Sequence, residues 1–246
     1  MEKINLNEYL ASNEYPGRGI AVAMAPDGRQ MFIGYFIMGR SENSRNRVFV
    51  KEPDGIRTQA YDPAKLADPS LIIYHPVRQM GRGLIVTNGD QTDTIRDSLL
   101  AGKSYIDALR TRCYEPDGPN YTPRISGVVD QDGSFCLSIL KSADGDPACS
   151  HRYFYEYDAP LAGEGRFIHT YQENAEPLPS FEGEPRRVSV SAPDAETLAS
   201  QVWASLNEDN KVSLFVQYIH LATGERETVI LNKHGEQAHA ASKVPN

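Results

Sequence analysis

Two stretches of this chain carry more hydrogen-bonding side chains than an ordinary turn needs: Asn88-Gly89-Asp90-Gln91-Thr92-Asp93 and Asn120-Tyr121-Thr122-Pro123-Arg124-Ile125. Each abuts an apolar run, Leu84 to Val86 and Ile125 to Val129, that anchors it to a core. Polar groups fixed on a rigid scaffold are what a small-molecule site requires. A third stretch supplies charge. Between Arg18 and Arg47 stand five arginines, no lysine, and only Asp27 and Glu42 as acids, a local balance of +3. Guanidinium groups bind oxyanions through paired N–H donors, so the chemistry expected of the three stretches together is recognition of a small anion. Blander readings stand beside this one. Asp90 or Thr92 would cap a helix, Arg124 would sit at the surface end of a strand, and arginine-rich loops are commonly solvated or ion-paired.

The elements that position these residues are legible from periodicity and turn chemistry. Asn5 to Glu14 reads as a short helix stopped by Pro16-Gly17. Gly19 to Met24 and Met31 to Met38 form a hairpin over Pro26-Asp27-Gly28. Val48 to Val50, Leu71 to Tyr74 and Leu84 to Thr87 are further strand candidates. Asp90, Thr92 or Asp93 caps a helix to about Ala101, with Ile95, Leu99 and Leu100 at helical spacing and Gly102 behind it. Ser104 starts a second helix that Pro116 stops. The strands Ile125 to Val129 and Phe135 to Leu140 are joined by Asp130-Gln131-Asp132-Gly133, and His151 to Tyr157 and Arg166 to Tyr171 alternate as half-buried strands do. Glu173 to Arg187 is the expected long loop. Pro193-Asp194 opens a helix to about Leu206, and Val212 to Leu221 with Glu227 to Leu231 closes the chain as a hairpin. Helices do not alternate one for one with strands, which predicts an α+β fold of about ten mostly antiparallel strands rather than a doubly wound parallel sheet. One domain over 1–234 is expected, followed by a frayed polar tail over 235–246.

Composition narrows the function classes. The 246 residues are 40% hydrophobic and 24% charged, an ordinary globular balance. A net charge of −8 argues against nucleic acid as a partner, because a phosphate backbone calls for a basic face. No run approaches the roughly 18 apolar residues of a membrane span, and Met1-Glu2-Lys3-Ile4-Asn5 has no signal core. The three cysteines, Cys113, Cys136 and Cys149, form no C-x-x-C pair, so a reducing cytoplasm without structural disulfides is expected. Six scattered histidines make no metal spacing, and no metal or cofactor is expected. Cys113 is expected to be a small buried residue rather than a nucleophile.

An ordered series of short motifs goes further. Tyr15-Pro16-Gly17-Arg18-Gly19, Arg40-Ser41 with Asn46-Arg47, Tyr74 with Arg78, Thr87 through Ile95, and Tyr114-Glu115 followed by Thr122-Pro123-Arg124-Ile125 resemble the archaeal-type inosine monophosphate (IMP) cyclohydrolase family. The resemblance implies a four-layered αββα fold like that of the N-terminal nucleophile hydrolases. It also implies a cyclic amidine hydrolase that closes the formamido-imidazole-carboxamide ribotide to IMP in purine synthesis. On that reading the partner is a purine ribonucleoside monophosphate, with a homo-oligomer as an open possibility. Arg18, Arg40 and Arg47, with Ser41 and Asn46 as neutral donors, would take its 5′-phosphate. Asn88, Gly89, Asp90, Gln91, Thr92, Asp93 and Thr122 would face the base or ribose. Tyr74, Tyr114 and Glu115 would handle protons, with Arg124 aimed at the pocket by the extended Thr122-Pro123. The alternatives are a helix-end carboxylate for Glu115 and core aromatics for the tyrosines. Met1-Glu2 predicts no N-terminal nucleophile. The chain departs from the family where Asp90-Gln91 replaces Ser-His and His75-Pro76 replaces Asn-Cys. A nucleotide-binding or regulatory protein of the same fold, without the reaction, is therefore the second reading.

Overall fold

The computed structural model describes residues 2–66, 69, 71–143, 145–235 and the backbone of 239–240. In chain order the elements are β1 (Ile4–Asn5), α1 (Leu6–Ser12), β2 (Arg18–Met24), β3 (Gln30–Met38), α2 (Glu42–Arg45), β4 (Arg47–Glu52), β5 (Gly55–Ala60), β6 (Val77–Met80) and β7 (Gly83–Thr87). They continue with α3 (Gln91–Leu100), α4 (Tyr105–Arg110), β8 (Arg124–Val129), β9 (Phe135–Ala143), β10 (Asp146–Tyr157), β11 (Glu164–His169), β12 (Arg186–Ser189), α5 (Ala195–Ser205), β13 (Lys211–His220), β14 (Arg226–Asn232) and β15 (His239–Ala240).

The strands make two sheets. One has the order β1-β12-β11-β2-β3-β13-β14-β15, the other β10-β9-β8-β7-β6-β5-β4. Every pairing is antiparallel except β1 with β12. The α+β expectation with mostly antiparallel strands therefore holds.

Strand alternation decides how the sheets pack, because successive side chains point to opposite faces. In β2, Ile20, Val22 and Met24 join Phe49, Val77, Val86, Ile125, Leu137 and Ile139 of the other sheet in one core. Ala21 and Ala23 instead join the residues that α1 and α5 bury, Leu6, Leu10, Leu198 and Val202. On the far face of the second sheet, Ile85, Val128 and Leu140 pack with Ile95, Tyr105 and Leu109 of α3 and α4. Small residues on β2 let the helices approach that sheet closely, while the β-branched row fills the space between sheets.

Several expectations are corrected. Leu71 to Tyr74 is not a strand: Thr58 Oγ1 donates to Ile72 O at 2.6 Å and takes the Tyr74 N–H at 2.8 Å, which pins this irregular segment against β5. The strands β5, β6 and β12 were not expected. Their polar Arg57, Gln59, Arg78, Gln79, Arg186 and Arg187 hide the alternation that apolar residues would show. With them and the two-residue β1 and β15 the strand count reaches fifteen among the described residues. Asp90 stands at the N-cap of α3 but makes no capping bond. Cys113 is exposed, not buried. The expected tail lies outside the described residues apart from Gly235 and the β15 backbone, which pairs with β14. None of the described helices is long and apolar enough to cross a membrane.

Candidate active site

At one end of the space between the sheets the apolar rows turn polar. Arg18 opens β2 on the same face as Ile20 and Val22, and Arg47 opens β4 on the same face as Phe49. Arg47 is 1% exposed. Its Nε donates to Ser44 O at 2.9 Å, but one terminal nitrogen has no partner, and neither has the enclosed Nε of Arg18. Buried guanidinium nitrogens are rarely left unpaired, and two here lie close enough to repel one another. Such a pair is a standing demand for an anion or a strong acceptor.

The surrounding side chains are phenols and one carboxylate. Tyr35 and Tyr74 share a hydrogen bond of 3.0 Å between their hydroxyls. Glu115 is 3% exposed, and its N–H donates to Thr122 O at 2.9 Å. Burial pushes the Glu115 carboxyl above its ordinary range, and that outweighs the pull of Arg18, Arg124 and Arg47, with Asp117 adding to the rise. Burial also opposes both guanidinium charges. In Arg47 burial and then repulsion from Arg18 lower the pKa, whereas the field of Glu115, then Tyr171, Tyr15 and Tyr74, raises that of Arg18. Burial and the neighbouring Tyr74 push Tyr35 well up, so it is a neutral phenol at neutral pH.

Behind Glu115 the loop to β8 is clasped by Asp117, which accepts the Thr122 N–H at 2.6 Å and, in a short bond, the Thr122 hydroxyl. Thr122 Oγ1 also meets Tyr171 OH at 2.5 Å. The threonine proton is already committed to Asp117, so Tyr171 is the donor and its lone pairs stay free to face Arg18. Tyr15 stacks on Tyr171 at a centroid distance of 6.0 Å.

The remaining sequence candidates fall into four places. Arg124 lies on the helix face of its sheet, donating to Gln91 Oε1 at 2.7 Å and paired with Asp90 at 2.8 Å. Arg112 holds the same Asp90 at 2.5 Å, which depresses that carboxyl despite burial. Asn88 accepts the Ile125 N–H and donates to Pro123 O, and Gln91 donates to Asn88, so these amides stitch β7 to β8. Thr92 closes the turn by bonding Thr87 at 2.6 Å across Gly89. Arg40 reaches the other way, to Asn174, Ala175 and Glu176 and over the Tyr15 ring. Ser41 caps α2, and Asn46 exchanges both amide ends with the Asp62 backbone. Asp93 belongs to a separate surface cluster with His75, Arg78 and Arg96. Tyr114 turns from the cluster, its hydroxyl donating to Pro147 O at 2.7 Å.

Thus Arg18, Arg47, Tyr74, Glu115 and Thr122 come together, with Arg124 acting on them from beyond the sheet. Tyr35, Tyr171 and Asp117 join them without having been singled out in the sequence. No group of three His, Cys, Asp or Glu side chains placed to hold a metal occurs among the described residues.

Comparison with known proteins now bears on this cluster. The family described as IMP cyclohydrolase-like protein matches residues 15–225. A Methanopyrus kandleri protein named IMP cyclohydrolase is 30% identical over 166 residues, 66% of this chain and 77% of the relative. One of that name from Methanococcus maripaludis is 27% identical over 68% of this chain and 86% of its own. Another from Halobacterium salinarum is 28% identical over 55% of this chain and 75% of its own.

Proposed function

This chain belongs to the IMP cyclohydrolase-like protein family, and on that premise we propose that it closes 5-formamidoimidazole-4-carboxamide ribotide to IMP and water, with the Arg18–Arg47–Glu115 cluster as the working site. The observation that carries the reading is buried Arg47 and half-buried Arg18, each with an unpartnered nitrogen, beside a buried carboxylate.

The reaction asks for what this cluster offers. The carboxamide nitrogen attacks the formyl carbon, and the formyl oxygen gains negative charge. The attacking nitrogen gives up one proton and the formamide nitrogen another, and both leave with the formyl oxygen as water. Both reacting groups sit on one molecule, so orientation supplies much of the rate. A guanidinium of Arg18 or Arg47 suits the developing oxyanion, since a fixed donor in a dry site needs no reorganisation. Glu115, its pKa raised by burial, suits the proton transfers: a carboxyl moved toward neutrality can both take the amide proton and return it to the departing oxygen. Tyr35 and Tyr74 share one hydrogen bond, which leaves one phenol proton to donate to the same oxygen. Asp117 and Thr122 position Tyr171 and the Glu115 loop.

The fold likeness to the N-terminal nucleophile hydrolases is part of the proposal. It is supported by the order α1/α5, sheet, sheet, α3/α4 in the three cores. The shared inter-sheet core likewise supports one domain over 1–234. The test of the site is Glu115→Gln under single-turnover conditions. Closure should slow by about 10²-fold or more, while IMP still protects the variant against heat. Closure at the wild-type rate would remove Glu115 from the chemistry.

A further inference from the structure

Beside this cluster lies a cleft of about 280 Å³, lined by residues that the mechanism above does not use. The Thr122–Tyr171 hydrogen bond ties together the two chain segments that run on into the cleft lining. Asn120 stands two residues before Thr122 and Gln172 directly follows Tyr171, and both line the cleft. Asn120 lies in the turn that leads to Thr122, whose carbonyl accepts the Glu115 N–H.

Lys141, near the end of β9, lies on the inter-sheet face with Leu137 and Ile139 and is only 7% exposed. Its Nζ donates to Phe181 O at 3.2 Å and lies 3.7 Å from Glu182, whose carboxylate is 63% exposed on the rim. An ammonium carries three donors, so donor capacity remains. Three neutral donors line the same cleft. Asn120 Oδ1 accepts the Leu178 N–H, yet the Asn120 amide N–H groups and the Ser142 and Ser180 hydroxyls donate no hydrogen bond to protein among the described residues. A buried cation amid uncommitted donors fits a tetrahedral oxyanion.

We infer that the Lys141 cleft is a phosphate-monoester subsite, filled by the 5′-phosphate of the ribotide whose base lies at Glu115. This rests on the ring-closure reading for the ligand's identity but not for the anion site itself. It departs from the expectation that Arg18, Arg40 and Arg47 hold the phosphate.

The test uses ribose 5-phosphate, which carries the anion without the base, and calorimetric titration of the full chain. Wild type and Arg47→Met should bind it, whereas Lys141→Met should weaken binding by at least about tenfold. Asn120→Ala, on the loop, should weaken it in the same direction, and Glu182→Gln should tighten it. Thermal denaturation establishes that each variant is folded. If Lys141→Met is misfolded, the Asn120 and Glu182 variants decide. Undiminished binding in folded Lys141→Met, or loss only in Arg47→Met, overturns the assignment. Competition between ribose 5-phosphate and IMP supports one ligand spanning both pockets. Simultaneous binding overturns that span and leaves the cleft to a second phosphorylated molecule. Because the readout is binding, an inactive enzyme would defeat the ring-closure reading without touching this one.

Discussion

At the scale of single residues the site is built against its own stability. The raised carboxyl of Glu115 means that the folded chain holds this proton more tightly than the unfolded one. Its stabilising contribution is therefore full below the ordinary carboxylate range and is lost as pH rises through the folded pKa. Glu115→Gln, which mimics the protonated form, should melt higher than wild type near pH 7, and the difference should vanish toward pH 4. A difference unchanged across that range would contradict the raised carboxyl. Arg47 shows the same conflict from the cationic side. Arg47→Met removes a charge that burial and Arg18 both oppose, so the ligand-free variant should melt no lower than wild type while ring closure slows by about 10²-fold. A variant that melts well below wild type and keeps its rate would show Arg47 to be structural. Arg18 and Arg47 were legible in the sequence as part of an arginine-rich, lysine-free stretch, whereas Glu115 stood out only through the family resemblance. Tyr35 was not, since a tyrosine inside Met31 to Met38 has the signature of an ordinary core aromatic.

At the scale of elements, the polar end of the sandwich depends on how β2 and β11 enter it. Gly17 adopts φ +79° just before β2, and a Cβ there would lie 2.2 Å from Thr170 Oγ1 and 2.5 Å from the Tyr171 ring. Gly17→Ala should therefore cost stability and displace Tyr171, read as a lower melting temperature together with weaker IMP binding. At the end of β11, His169 donates from Nδ1 to Tyr171 O at 2.7 Å and accepts from Tyr9 of α1 at 3.0 Å. Burial lowers its pKa to about 3. The folded state thus resists protonation, and the stability it contributes above about pH 6.5 is lost as pH falls toward 3. His169→Gln should lose less stability than wild type over that window; equal losses would contradict a buried neutral ring. Periodicity revealed the helices and the apolar strands because burial on one face writes itself into spacing. It missed β5, β6 and β12, whose polar side chains pair with ions or line the surface. It read Leu71 to Tyr74 as a strand because apolar composition alone cannot distinguish a ladder from a segment pinned by Thr58.

At the scale of the whole molecule, two face-to-face sheets carry an acidic chain that gathers Arg18 and Arg47 at one end of their shared core. The net charge of −8 argues against a nucleic-acid partner but gives no hint of where the cations meet, because Arg18 and Arg47 are brought together only by the packing of the sheets that hold β2 and β4. Arg40, Asp93 and Tyr114, adjacent in motif to these residues, are turned elsewhere by the same packing. A ligand that bridges the cluster should stabilise the native state by about 2.7 kcal/mol at one hundred times its dissociation constant. IMP should therefore raise the melting temperature more than inosine does. Equal shifts would deny the phosphate any part in binding. The most direct measurement is to incubate the purified chain with the formamido ribotide and follow IMP by its absorbance. Ring closure well above the spontaneous rate is the predicted result. A rate indistinguishable from closure without protein would contradict the assignment of ring-closing chemistry to this site.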